Sequence, residues 1–86
     1  MSPETFRRRL EDGRCNNRLY TAGDREGLVS VWKHQGGYVL TWEECPRGGQ
    51  YDESSYTRDD RHVFATVDEV LAFLAENGLD VETFRP

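Results

Sequence analysis

Apolar residues are scarce in this chain, 36% of 86 residues, and no apolar run approaches the ~20 positions that a membrane-spanning helix needs. The opening stretch, MSPETFRRRLEDG, has no apolar h-region and does not read as a secretory signal. Cysteine is almost absent: Cys15 and Cys45 are the only two, thirty positions apart. A disulfide between them is compatible with the sequence. Two cysteines behind no leader fit a reducing compartment better, so a cytoplasmic location is expected. Walker loops, G-x-G-x-x-G and EF-hand spacing are all missing, as are internal repeats and low-complexity segments. A chain this short buries somewhat over ~60% of its unfolded surface, which suffices for one core. A catalytic cavity of ~300–1,000 Å³ would consume that core, so a non-enzymatic protein is expected.

Charge is plentiful but uneven. Formal net charge is −5. Residues 1–18 hold five arginines against three acids, a net of +2, whereas residues 19–86 hold six basic and thirteen acidic residues, a net of −7. An acidic body repels phosphate backbones and suits a partner with a basic surface. The Arg7-Arg8-Arg9 run covers several faces of a helix and reads first as a solvated face, second as a contact for phosphate or an acidic partner.

What the chain does have is a β-rich centre, Leu28 to Glu44, holding both tryptophans. Its two runs, Leu28–His34 and Tyr38–Glu44, are joined by Gln35-Gly36-Gly37, where glycine permits the positive φ of a tight hairpin. A two-residue loop groups Val29, Val31, Lys33, Tyr38, Leu40 and Trp42 on one face. Leu28, Ser30, Trp32, His34, Val39, Thr41 and Glu43 then share the other. A three-residue loop would instead gather Leu28, Trp32, Tyr38, Leu40 and Trp42. A one-residue slip turns a strand over, so the two exclude each other, and the two-residue loop is the expected one.

Around this centre the expected fold is α+β: a small antiparallel sheet of three or four strands, a C-terminal helix packed on one face, and a short N-terminal helix. One domain spans 1–86. The first helix occupies 1–13, with a Ser2 cap, Pro3 at its first position and Gly13 as its stop; Phe6 and Leu10 share a face. The sheet runs over 16–65. Its first strand is Asn16–Ala22, followed by a polar turn at Gly23–Gly27 and, after the central hairpin, a strand at Arg61–Ala65 with Val63 inward. Between the last two lies a polar loop at 45–60, where Gln50–Thr57 is either an edge strand or a mobile segment. The second helix occupies 66–78, opening on the capping box Thr66…Glu69 and carrying Val67, Val70, Leu71 and Leu74 on one stripe; a tail follows at 79–86.

No chemistry-bearing constellation stands out. Cys15, His34, Cys45 and His62 are zinc-ligand types, but every ligand would be alone, without the close pairs of structural sites; no metal and no cofactor is expected. Cys45 and His62 form no recognisable nucleophile–base motif. Glu43 and Glu44 are adjacent in a strand and point to opposite faces.

Protein binding asks least of the sequence. The candidate binding residues are Trp32, His34, Tyr20 and Val39, with Tyr51 and Tyr56 from the polar loop. The expected function is an inhibitor, immunity-type or adaptor module that uses an acidic surface and a sheet face against a basic-surfaced protein. The alternative is single-stranded nucleic-acid binding on a platform of sheet aromatics. Self-association as a homodimer through the open face or an edge strand is a further arrangement. All of this turns on whether the N-terminal helix, which must bury Phe6 and Leu10, lies across Trp32 or leaves it open.

Overall fold

The computed structural model describes residues 1–48 and 56–86. In chain order the elements are α1 (Pro3–Glu11), β1 (Asn16–Ala22), β2 (Arg25–His34), β3 (Gly37–Pro46), β4 (Arg58–Phe64), α2 (Val67–Glu76) and a 3-10 turn at Val81–Thr83. The strands form one antiparallel sheet in the order β1-β2-β3-β4. This is the small α+β architecture that the hydrophobic periodicities predict.

The first two hairpins, β1–β2 and β2–β3, close on two-residue turns. His34 pairs with Gly37, so the β2–β3 connection is Gln35-Gly36, with φ of 50° and 79°. Two consecutive positive φ values match the twist of the flanking strands. The two-residue loop fixes the register: Val29 faces Trp42 and Val31 faces Leu40 on one side of the sheet, while Trp32 faces Val39 on the other. Ala22 pairs with Arg25 across Gly23-Asp24. The polar turn is therefore two residues long, not five, and Arg25 to Gly27 belong to β2. Within that strand, position 27 takes glycine because the Tyr20 ring lies on it: a Cβ there would sit 2.1 Å from that ring.

Both helices pack on the same face. Phe6 and Leu10 of α1, Val67, Val70 and Leu74 of α2, and Leu79 and Phe84 of the tail join Val29, Val31, Leu40 and Trp42 in one buried cluster. The α1 helix lies over β1 and β2, and α2 over β3 and β4. Phe84 fits edge-on against Phe6, ring centroids 5.3 Å apart at 87°. Asn16, fully buried, ties α1 to the sheet. Its Nδ2 donates to the Phe6 carbonyl at 3.0 Å, and its Oδ1 accepts from Arg9 Nε at 2.9 Å. Arg7 pairs with Asp68 and links the two helices at the surface, where exposure keeps the contribution small.

The caps follow the sequence. The Ser2 hydroxyl accepts from the Thr5 amide, and the Thr66 hydroxyl from the Glu69 amide. Glu69 reaches back to the Ala65 amide, one residue beyond the cap itself. Leu79 folds back so that its amide meets the Leu74 carbonyl at 2.9 Å. The tail does two things: it buries Phe84, and Arg85 exchanges two backbone hydrogen bonds with Asn17 at the β1 edge, each 2.7 Å.

Two local expectations change. The last strand starts at Arg58 rather than Arg61, and Val63 points outward at 71% exposure. Val63 pairs with Val39, so it shares the face that no helix covers, while His62 and Phe64 turn toward α2 and meet Phe73. The expected edge strand at Gln50–Thr57 falls for the most part outside the described residues, as does Tyr51.

Candidate functional site on the open sheet face

With both helices on one side, the opposite face of the sheet is left without a covering element among the described residues. Its side chains stand in register as rungs. Trp32, Val39 and Val63 make an apolar rung at one end. Asn17, Ser30, Thr41 and Arg61 make a polar rung, in which Ser30 donates to Asn17 at 2.8 Å. Leu19, Leu28, Glu43 and Asp59 form the third, and Thr21, Glu26 and Cys45 the fourth.

The apolar rung is tightly packed. Val39 is only 2% exposed, with no described element crossing above it and with Trp32 and Val63 flanking it on either side. Trp32 is half-buried by this contact and offers its remaining surface to solvent. At the other end Leu19 is 80% exposed beside Leu28. Such apolar side chains on an uncovered face, ringed by polar ones, are the pattern of a contact surface.

The charge on this face is acidic. Glu26, Glu43 and Asp59 stand on it against Arg61, and none of these four forms an ion pair among the described residues. Glu43 and Asp59 are direct cross-strand partners. Like charges set opposite each other destabilise a sheet, so the fold does not gain from this pair.

Next to them is a depression of about 260 Å³, lined by Leu19, Leu28, Cys45, Tyr56, Glu26 and Glu43 together with the Gly27 backbone. Cys45 forms its floor at 6% exposure. Burial pushes its thiol pKa up, and the carboxylates of Glu26, Glu43 and Glu44 push it further.

The remaining candidates scatter. His34 is exposed at the hairpin end of the Trp32 face. Tyr20 sits on the helix side, opposite to Trp32, where its hydroxyl accepts from Trp42 Nε1 and donates to Glu44. Of the sheet aromatics expected to form a platform, Trp32 and His34 share the open face and Tyr20 lies behind the sheet, so the three are not assembled. Tyr56 is half-buried at the depression. Cys45 and His62 are on opposite faces, Cys15 and Cys45 are free thiols, and no three His, Cys, Asp or Glu groups converge on a metal position among the described residues. No described helix is long and apolar enough to cross a membrane.

Leu19, Glu26, Cys45 and Glu43 are the site residues that pattern reading passes over. The signals that find them are the two short turns: Gly23-Asp24 places Leu19 against Leu28, and Gln35-Gly36 places Glu26 against Cys45. Compared with protein-family models, curated proteins and solved structures, the chain matches none.

Proposed function

We propose that this protein is a non-enzymatic protein-binding module whose open sheet face docks a partner with a basic surface, in the manner of an inhibitor, immunity or adaptor protein. The observation that carries this reading is the combination, on a face that no described element covers, of exposed apolar side chains with carboxylates that form no ion pair among the described residues. Leu19, Leu28 and Trp32 supply area to desolvate, and Glu26, Glu43 and Asp59 supply a field that steers a cationic partner and holds its register. The same carboxylates oppose a nucleic-acid strand, and among the described strand residues Arg61 is the one Lys or Arg on this face.

The experiment is capture of the partner from the native host, followed by calorimetric titration of the purified partner with wild type, Trp32→Ala and Leu28→Ala. The expected outcome is a basic partner whose affinity falls with salt and drops about tenfold or more in Trp32→Ala, with the fold intact by circular dichroism. Wild-type affinity in both folded variants overturns the reading. So does salt-dependent binding of single-stranded oligonucleotides in place of a protein.

A further inference from the structure

The geometry points to the depression between β1, β2 and β3 as a receptor for one arginine side chain of the partner. This rests on the protein-binding reading above and specifies what its acidic end recognises.

Three features of the depression match that side chain. First, its walls are apolar: Leu19 and Leu28 face each other across β1 and β2, and Cys45 lies buried beneath. A purely ionic contact needs no such walls, but the methylene stem of a long basic side chain does. Second, its two carboxylates are placed as a pair. Glu26 is opposite Cys45, and Glu43 is two residues before Cys45 on the same face. Diagonal neighbours of this kind lie roughly 7–8 Å apart at the backbone, with side chains closing on the space between them. A guanidinium, with five N–H donors spread over a plane, bridges two such acceptors, which a single ammonium does less well. Third, Tyr56 lines the depression and adds an aromatic side chain to its boundary.

Among the described residues no cation is ion-paired with Glu26 or Glu43. Arg61 stands diagonal to Glu43 across β3 and β4 but is not ion-paired with it, and Arg25 turns to Glu44 on the other face at 3.4 Å. A metal ion is a poorer fit, because no third His, Cys, Asp or Glu group converges with the two carboxylates among the described residues. Burial raises the pKa of the Cys45 thiol at the floor, and the neighbouring Glu26 and Glu43 raise it further.

The test uses the whole chain, labelled with ¹⁵N, and a defined probe rather than the partner. The peptide Ac-Gly-Arg-Gly-NH₂ is titrated at low ionic strength and compared with its neutral isostere, Ac-Gly-citrulline-Gly-NH₂. Saturable amide shifts are expected at Gly27, Leu28, Glu43 and Cys45 with the arginine peptide. The citrulline peptide should bind about threefold or more weaker, and Glu26→Gln/Glu43→Gln should weaken the arginine response by a similar factor. Both substitutions are near-isosteric and at the surface, and the spectrum itself reports whether the fold survives. Equal response to citrulline, an unchanged response in the double variant, or shifts centred elsewhere each overturn the arginine site. Because no partner is needed, that failure is separate from failure of the docking face, which the Trp32→Ala titration decides.

Discussion

Trp42 Nε1 donates to the Tyr20 hydroxyl at 2.9 Å, and the same hydroxyl donates to Glu44 Oε2 at 2.8 Å. One phenol thus satisfies a nearly buried indole and is itself satisfied by a carboxylate that also pairs with Arg25. The Arg58 guanidinium covers the Trp42 ring at 3.8 Å. The network extends the helix side of the sheet from Trp42, which meets Phe73 of α2 edge-on at 6.4 Å. Tyr20→Phe keeps the ring and removes both bonds, leaving the Trp42 N–H without an acceptor. A loss of about 1–3 kcal/mol is expected, seen as a lower urea midpoint with an unchanged slope.

The sequence made most of the fold legible and little of the site, and the reason is physical. Element identity is written locally: the Ser2 and Thr66 caps, the Val67-Val70-Leu74 stripe and the Gln35-Gly36 turn each involve a handful of adjacent residues. Faces are written by parity, and parity depends on turn length. The Gln35-Gly36 turn is readable, and it sets Trp32 and Trp42 on opposite sides. Gly27 reads as a turn residue, which hides the Gly23-Asp24 turn and with it the helix-side position of Tyr20. Which face receives α1 depends on where Phe84 and the buried Asn16 meet Phe6, contacts that span most of the chain and leave no local trace.

Gly27→Ala should test the seat of Tyr20 directly. The added Cβ would lie 2.1 Å from the ring, so the ring must leave and take its hydroxyl with it. The expected cost is about 1–3 kcal/mol, as for overpacking in a core. In a Tyr20→Ala background the same substitution should cost much less, because there is no ring to displace. A double-mutant cycle by urea denaturation measures the coupling, and additive effects would show that the ring does not depend on Gly27.

Alkaline pH should weaken the fold through Tyr20. Its pKa is raised above the ordinary phenol value, first by burial and then by Glu44, against the lowering effect of the Trp42 hydrogen bond and Arg58. A raised folded-state pKa means the proton is held more tightly in the folded protein. The associated stability is fully present below the unfolded value of about 10 and is lost as pH rises through the folded one. The urea midpoint should therefore fall above about pH 10 in wild type and fall less steeply in Tyr20→Phe.

The two thiols should separate by reactivity. Cys15 is exposed and Cys45 buried. Cys45 is also held protonated by burial and by Glu26, Glu43 and Glu44. Iodoacetamide near neutral pH should label Cys15 first and Cys45 slowly, because the thiolate is the nucleophile. Glu43→Gln removes one of the charges that raise the Cys45 pKa, so Cys45 alkylation should speed up while Cys15 is unaffected. Mass mapping of the labelled peptides over time follows both sites at once. An unchanged Cys45 rate would mean that the Glu43 charge is not felt at the floor of the depression.

The pairing of Glu43 with Asp59 sets stability against function on the open face. The two are directly opposite across β3 and β4, and no cation pairs with either among the described residues. If the pair served the fold, neutralising it would do harm. Because like charges opposed on a sheet repel, Asp59→Lys should instead raise stability by about 0.2–1 kcal/mol, measured by urea denaturation. The same change puts a positive charge where a basic partner must dock, so affinity for that partner should fall, chiefly through a slower association rate that loses its salt dependence. A variant that is more stable and binds worse is the signature of residues kept for recognition rather than for folding. Loss of stability in Asp59→Lys, or undiminished association, would place the acidic face outside the working surface.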